Sequence, residues 1–385
     1  MRFIHTADWH LGRLFHGVHL TEDQSHVLRQ FLDVVRDAKP DVVLVAGDIY
    51  DRAIPPPEAV DLLDEVLSRL VLDLQVPTIL IAGNHDSPGR LNFGARLLAG
   101  RKLYVTGTLP ARCVAIPFAD GAGPVHIYPV PYAEPAVVRQ CMECTTINDH
   151  DSAMRALCAA IRAGHTDGVR SILVGHAFVA GGAESESERP LSVGGAGTVD
   201  ASCFDGFEYV ALGHLHSPQR ISAAGEVRYC GSLLKYSFEE CAQAKGVYVV
   251  EMDAAGACTS THVPLVPRRD VRRISGTIAE LLRGPADGKG REDYIEATIT
   301  DDGPVLDAVG RLREVYPNLL NLRRPERELG ALSGDRPNVR GMDEPALFNA
   351  FYKHVTGGDL SPDQERAFAE TVDAMRQVER EVQPS

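Results

Sequence analysis

Five segments of this chain share a pattern that limits the fold more than any other feature. Apolar runs end in one or two small residues and then deliver polar side chains together. They are VVLVAGD (Val42–Asp48), TILIAGNHD (Thr78–Asp86), ILVGH (Ile172–His176) and YVALGHLH (Tyr209–His216), with RFIHTADWH (Arg2–His10) as a looser version. Continuous apolar runs of this kind read as strands buried on both faces. Asn, His and Asp at the end of such a strand are costly unless something satisfies them. In α/β sheets, ligand sites lie beyond the carboxyl ends of the strands. The five clusters are therefore expected to meet at one edge.

Helical stretches separate these strands. Thr21–Ala38 carries Leu28, Phe31, Leu32 and Val35 on one face, and Pro57–Leu72 and Asp149–Ala163 read as further helices. With VHIYPVPY, VRYCGS and GVYVVEMD as additional strands, residues 1–264 form a layered α/β domain. A polar Gly- and Ser-rich loop, AGGAESESERPLSVGGAG (Ala180–Gly197), interrupts it. Residues 265–324 form a smaller segment with a strand, YIEATIT, and a helix over Val305–Val315. Residues 325–343 are rich in Gly, Pro and charge and read as a linker. Residues 344–382 hold two helices. The first presents Leu347, Phe348, Phe351, Tyr352 and Val355 as an apolar face. The second begins at Ser361-Pro362, an N-cap followed by Pro at the first helical position, and continues with Phe368, Val372 and Met375 at helical spacing. An isolated pair cannot bury both faces, so docking on a partner is the expectation and core packing the alternative.

No apolar run approaches the roughly 20 residues of a membrane span, and the first residues read as a strand rather than a leader. A cytoplasmic location with no membrane contact is expected. Eight scattered cysteines suit reduced thiols. Cys141 and Cys144 form one CxxC without a second pair, which is a weak zinc signal. The net charge of −14 argues against a free-standing nucleic-acid binder, although divalent metals would offset some of it locally. GPADGKGR (Gly284–Arg291) lacks the spacing and hydroxyl of a phosphate-binding G-x-x-x-x-G-K-[ST] loop, so ATP is not handled by this chain. His16, His19 and His26 read as surface or supporting residues, and RRDVRR (Arg268–Arg273) as either a solvated face or a phosphate contact.

The strand-end residues are Asp8, His10, Asp48, Asn84, His176, His214 and His216. One tetrahedral zinc needs only four ligands. Four imidazoles, two carboxylates and an amide suit two metals sharing a bridging carboxylate. Nitrogen and oxygen donors without thiolate favour Mn²⁺ or a similar ion, with Mg²⁺ as the alternative. Two metals about 3.5–4 Å apart are a standard device for phosphoester hydrolysis.

The order D-x-H, G-D, G-N-H-D, G-H, G-H-x-H resembles the calcineurin-like metallophosphoesterases. Longer stretches, among them HTADWHLGR, GDIYDRAIPPPEAV, GNHDSPGRL, SESERPLSVGG, GSLLKYSFEE and LFNAFYKHVTGGDLS, resemble the SbcD family of bacterial nuclease subunits, counterparts of the meiotic-recombination nuclease. The resemblance covers nearly the whole chain. It implies an α/β fold: a four-layer β-sandwich flanked by helices, with a small α+β capping domain and C-terminal helices. It implies that Asp8, His10, Asp48 and His216 hold one metal and that Asp48, Asn84, His176 and His214 hold the other, with Asp48 bridging. His85 is then a catalytic residue that stabilises the transition state or protonates the leaving oxygen, and Asp86 tethers its loop. In related protein phosphatases the residue matching Asp51 orients the catalytic His, so Asp51 is expected to fix the tautomer of His85 and raise its basicity, although archaeal nucleases often carry His there. The resemblance further implies a manganese-dependent 3′-to-5′ exonuclease on duplex DNA ends and endonuclease on single strands and hairpins, serving repair, replication and recombination. It implies a homodimer within a heterotetramer, bound to an SbcC-type SMC-like ATPase. One departure is Leu233-Leu234, where relatives usually have proline first, expected to alter a loop near DNA. The competing readings are a phosphodiesterase for small substrates such as cyclic nucleotides and a non-enzymatic scaffold, which would be expected to have lost ligands.

Overall fold

The structure, a computed structural model, describes all residues except 189–190, 192–196, 223–224, 286–289, 325–341, 357 and 383–385. It comprises two compact units, residues 1–297 with 301–322, and residues 298–300 with 323–385.

The first unit is built on two six-stranded sheets. One has the order Cys258–Pro264, Gly246–Met252, Arg2–Thr6, Val42–Ala46, Thr78–Ile81, Leu103–Thr106. Its last four strands run parallel, with Phe3 opposite Val42, Val43 opposite Thr78 and Thr78 opposite Leu103. The first two are antiparallel additions. The second sheet has the order Gln219–Ser222, Glu226–Tyr229, Tyr209–Gly213, Arg170–His176, Gly123–Val130, Ile116–Asp120. Its four central strands are parallel and its edges antiparallel.

Every residue of Val42–Ala46, Thr78–Ile81, Arg170–His176 and Tyr209–Gly213 is buried, as continuous apolar strands require. Alternation assigns their two faces. Ile172, Val174, Tyr209 and Ala211 share one core with Phe3, Val42 and Leu44 of the facing sheet, where Phe3 and Tyr209 meet edge to face at 5.0 Å. Leu173, Val210 and Leu212 turn the other way and pack with Met154, Leu157 and Ile161 of the helix His150–Gly164. The helices Thr21–Ala38 and Pro57–Ser68 cover the first sheet through Leu28, Phe31 and Leu63. The result is helix, sheet, sheet, helix, the four-layer α/β arrangement expected.

Helix boundaries follow local capping. Asp149 and Ser152 make a capping box that starts the helix at His150. The helix expected at Val305 begins at Ala308, because Asp307 caps it by accepting from Gly310 N at 3.2 Å. Helix Pro57–Ser68 continues as a π-helical turn, Arg69–Asp73. Within residues 265–324, strands Val271–Gly276, Tyr294–Ile299 and Leu319–Arg323 form a small sheet in that order.

In the second unit, helices Glu344–Thr356 and Pro362–Val382 stack Phe348 on Phe368, with ring centroids 4.0 Å apart. Ser361 and Gln364 form a reciprocal cap. Leu347 and Phe351 stay exposed, at 45% and 61%. The expected linker lies almost wholly outside the described residues, as do the side chains of Val355 and Met375. No helix among the described residues is long and apolar enough to cross a membrane.

Candidate metal centre

The five polar clusters lie beyond the carboxyl ends of three strands from one sheet and two from the other. Their loops are pinned to each other: Asp8 N donates to Gly47 O at 3.1 Å, and His10 N to Asp48 O at 3.0 Å. The small residues before them are required by close approach. A Cβ at Gly83 would lie 2.1 Å from Asp48 Oδ1, and one at Gly213 would lie 2.0 Å from Ala46 O. Asp8, His10, Asp48 and His214 adopt positive φ (52°, 45°, 49° and 109°), strain of the kind that collects at functional sites. Asp86 ties the loops down as expected, accepting from Gly83 N, Ile49 N and Tyr50 N at 2.9–3.1 Å.

All seven strand-end residues meet. His10 Nε2 faces His216 Nε2 at 3.0 Å, and Asn84 Oδ1 lies 2.9 Å from His176 Nε2 and 3.3 Å from His214 Nδ1. Asp48 Oδ2 sits between the two groups, 3.6 Å from His10 Nε2 and 3.5 Å from His176 Nε2. Asp8, His10 and His216 form one metal-capable triad, and Asp8, Asp48 and His176 another. Burial holds the imidazoles neutral: it lowers His10 to about 4, pushes His214 well below the usual range, and lowers His176 and His216. Neutral imidazoles are what a metal needs. Burial and the nearby Asp48 carboxylate push Asp8 well above the usual carboxylate range. Facing lone pairs and two buried carboxylates call for cations, so the residues fit a pair of divalent metals.

His85 stands beside this group, its ring 4.7 Å from that of His10 and its backbone N–H donating to Asp48 Oδ1 at 2.9 Å. Its Nδ1 lies 2.8 Å from the backbone carbonyl of Asp51. The Asp51 carboxylate lies 2.8 Å from Arg13 and 3.5 Å from His10 Nδ1, and with His10 and His85 it makes a third metal-capable group.

Other residues carry support that sequence reasoning missed. Gln24 binds the backbone of Trp9, His10 and Gly12. Ser187, Glu188, Glu240 and Lys245 surround His216. Ser187, Glu188 and Glu240 lie in the stretches SESERPLSVGG and GSLLKYSFEE that carry the resemblance, which marked the segments but not their partners. His16 and His19 are exposed and His26 half-buried. Neither they nor Cys141 and Cys144 belong to a metal-capable cluster among the described residues. The arginines of Arg268–Arg273 pair with Glu22, Asp23, Asp293 and Glu296. Leu233 and Leu234 lie in an irregular segment between a strand and a 3-10 turn and are buried in the core, at 0% and 6% exposure.

The model of the calcineurin-like phosphoesterase family matches residues 1–218, which contain the whole cluster. The chain is 32% identical to the SbcD component of nuclease SbcCD from Staphylococcus saprophyticus subsp. saprophyticus over 376 residues, 97% of this chain and 98% of that one. The chain belongs to the SbcD family of calcineurin-like phosphoesterases. A second family model, the type 5 capsule protein repressor C-terminal domain, matches residues 267–356 of this SbcD-family chain. Among solved structures it is similar to a dimetal phosphatase from Danio rerio, at 13% identity and TM-score 0.41, covering 69% of this chain and 97% of that one. It is also similar to calcineurin-like phosphoesterase YfkN from Bacillus subtilis, at 12% identity and TM-score 0.36, covering 68% and 88%.

Proposed function

We propose that this chain is the nuclease subunit of an SbcCD-type complex and cleaves DNA phosphodiester bonds with two divalent metals. The observation that carries the two-metal reading is Asp48 Oδ2, set 3.5–3.6 Å from an imidazole nitrogen of each ligand group. Full-length similarity to the SbcD component of a nuclease supports the substrate class. Asp8, His10, Asp48 and His216 hold one metal, and Asp48, Asn84, His176 and His214 hold the other. The ligand chemistry favours Mn²⁺, with Mg²⁺ as the alternative. The chemistry supplied on binding is Lewis acidity, which activates the nucleophile and offsets charge on the phosphoryl oxygens.

The chain's own residues do the rest. The Asp51 carbonyl can only accept, so His85 Nδ1 carries a hydrogen and the ring is held by that bond. His85 Nε2 is then the atom that stabilises charge on the scissile group or protonates the leaving oxygen. Asp51 steadies His10 and Arg13 rather than His85.

On this reading the enzyme acts in the cytoplasm as a 3′-to-5′ exonuclease on duplex ends and an endonuclease on single strands and hairpins, in repair, replication and recombination. The terminal helices dock on an SbcC-type ATPase through Leu347 and Phe351, which are exposed in the second unit. That partner supplies DNA affinity that a chain of charge −14 lacks. A homodimer within a heterotetramer accounts for Ile54, Phe93 and Leu97, apolar residues 68–86% exposed.

The test is Mn²⁺-dependent degradation of a linear duplex beside hydrolysis of bis-p-nitrophenyl phosphate, with and without the ATPase. Duplex degradation supports the proposal. Hydrolysis of the small ester alone, with the ATPase present, would favour the cyclic-nucleotide reading.

A further inference from the structure

The two ligand groups are backed differently. His216 is held at three points by charged groups. Its Nδ1 lies 2.5 Å from Ser187 Oγ, which donates to Glu240 Oε1. Lys245 Nζ sits 2.6 Å from the other Glu240 oxygen and 2.7 Å from the His216 carbonyl. Glu188 Oε1 accepts from the His216 backbone N–H at 2.7 Å. Ser187, Glu240 and Lys245 are 7%, 0% and 5% exposed. The other imidazole of this group, His10, has the Asp51 carboxylate 3.5 Å from its Nδ1.

The second group has neutral backing. His176 Nδ1 lies 2.9 Å from the Ala46 carbonyl. His214 Nδ1 faces the Asn84 amide oxygen, itself a ligand atom of this group, at 3.3 Å, so that contact lies on the metal side and gives His214 no backing. A carboxylate behind an imidazole fixes its tautomer and raises its basicity toward a metal more than a carbonyl does. A buried ion pair such as Glu240–Lys245 seldom stabilises a fold relative to apolar packing, so its place behind a metal ligand needs another reason.

We propose that Ser187, Glu240 and Lys245 form a relay that positions His216 and makes the Asp8–His10–His216 position the tighter of the two metal sites. The inference rests on the two-metal reading above. With His216 Nε2 on the metal side, Nδ1–H donates to Ser187 Oγ, the hydroxyl donates to Glu240, and Lys245 neutralises the far oxygen. The Asn84–His176–His214 position, without such backing, fills second and exchanges faster.

The experiment is calorimetric titration of the metal-free full chain with Mn²⁺ alone. The wild type should take two ions in two resolved steps, and Asn84→Ala should remove the weaker one. Ser187→Ala cuts the relay without breaking the ion pair. It should weaken the tight step about 10–100-fold, leave the weak step unchanged, and leave the unfolding temperature of the metal-free protein close to wild type. Ser187→Thr, which keeps the hydroxyl, should restore tight binding. Glu240→Gln combined with Lys245→Met removes both charges together, leaves no lone buried charge, and should reproduce the Ser187→Ala result. An unchanged tight step in both variants would overturn the proposal. Equal weakening of both steps would also overturn it, since that marks a merely structural role. Fewer than two ions bound by the wild type would instead sink the two-metal reading.

Discussion

Replacing Gln24 with Ala tests whether the strained ligand loop is held from behind. Gln24 is fully buried in the first turn of helix Thr21–Ala38. Its Nε2 donates to the carbonyls of His10 at 2.7 Å and Trp9 at 3.2 Å, and its Oε1 accepts from Gly12 N at 3.1 Å. Tyr236 reinforces the clamp by donating to Trp9 O at 2.6 Å. The clamped stretch includes His10 and follows Asp8, both at positive φ, a conformation that costs about 1–3 kcal/mol per residue. Gln24→Ala would leave the Gly12 N–H buried without a partner, at about 1–3 kcal/mol, and would cost the His10 carbonyl one of its two donors, about 1 kcal/mol, since Arg13 N still reaches it at 3.1 Å. Relaxation of the loop returns part of that cost, so a net loss of about 2–3 kcal/mol is expected, or roughly 3–5 °C in unfolding temperature for a unit of this size. The relaxed loop should also bind Mn²⁺ more weakly at the position that uses Asp8 and His10. Thermal unfolding of the metal-free protein, followed by Mn²⁺ titration, measures both effects. An unfolding temperature within a degree or two of wild type, with unchanged Mn²⁺ affinity, would refute the clamp. The adjacent Asp23 accepts from Tyr294 Oη of the small sheet at 2.9 Å. One helical turn therefore grips both the ligand loop and the capping segment.

Asp48→Ala should lose at least one Mn²⁺ together with activity, whereas His85→Ala should keep both ions and slow cleavage about 10²–10⁴-fold. Metal analysis beside kinetics separates the two, and metal loss from the His85 variant would mean that His85 is a ligand. Stability of the metal-free protein should fall on acidification from pH 7. His5 and His10 are lowered by burial to about 3 and about 4, so below their ordinary value of 6.5 the unfolded chain binds protons that the folded chain does not. Burial lowers His176, His214 and His216 in the same sense, while Asp8, Asp86 and Glu188, pushed up by burial, oppose it. Five imidazoles against three carboxyl groups set the direction, and urea midpoints that stayed flat between pH 7 and pH 4 would contradict it. Ending the chain after Arg324 should spare Mn²⁺-dependent cleavage of single strands and abolish co-purification with the ATPase; retained binding would assign the terminal helices another role.

What could be read from the sequence was whatever periodicity and strand ends encode. Parallel strands buried on both faces leave continuous apolar runs, and only small residues fit where Gly83 and Gly213 meet Asp48 and Ala46. The layers and the seven converging residues were legible for that reason. Helix starts were legible only as far as caps were: Asp149-Ser152 announces its helix, whereas Asp307, a left-handed cap, delayed the next by three residues against the apolar pattern. The supports behind the ligands were not legible, because they are long-range pairings between ordinary polar residues. Ser187 and Glu240 are 53 positions apart, and in a chain with 24% charged residues no local pattern says which Glu meets which Ser. Asp51 shows the same limit at the scale of atoms. Its position beside His85 was readable from the motif, but the choice between its carboxylate and its carbonyl depends on the path of the backbone. The carbonyl faces His85 Nδ1 and the carboxylate faces His10 Nδ1. On the proposed reading one residue would serve both the proton-handling group and the metal site, and this is why Asp51→Asn, which leaves the carbonyl in place, is the substitution that separates the two roles.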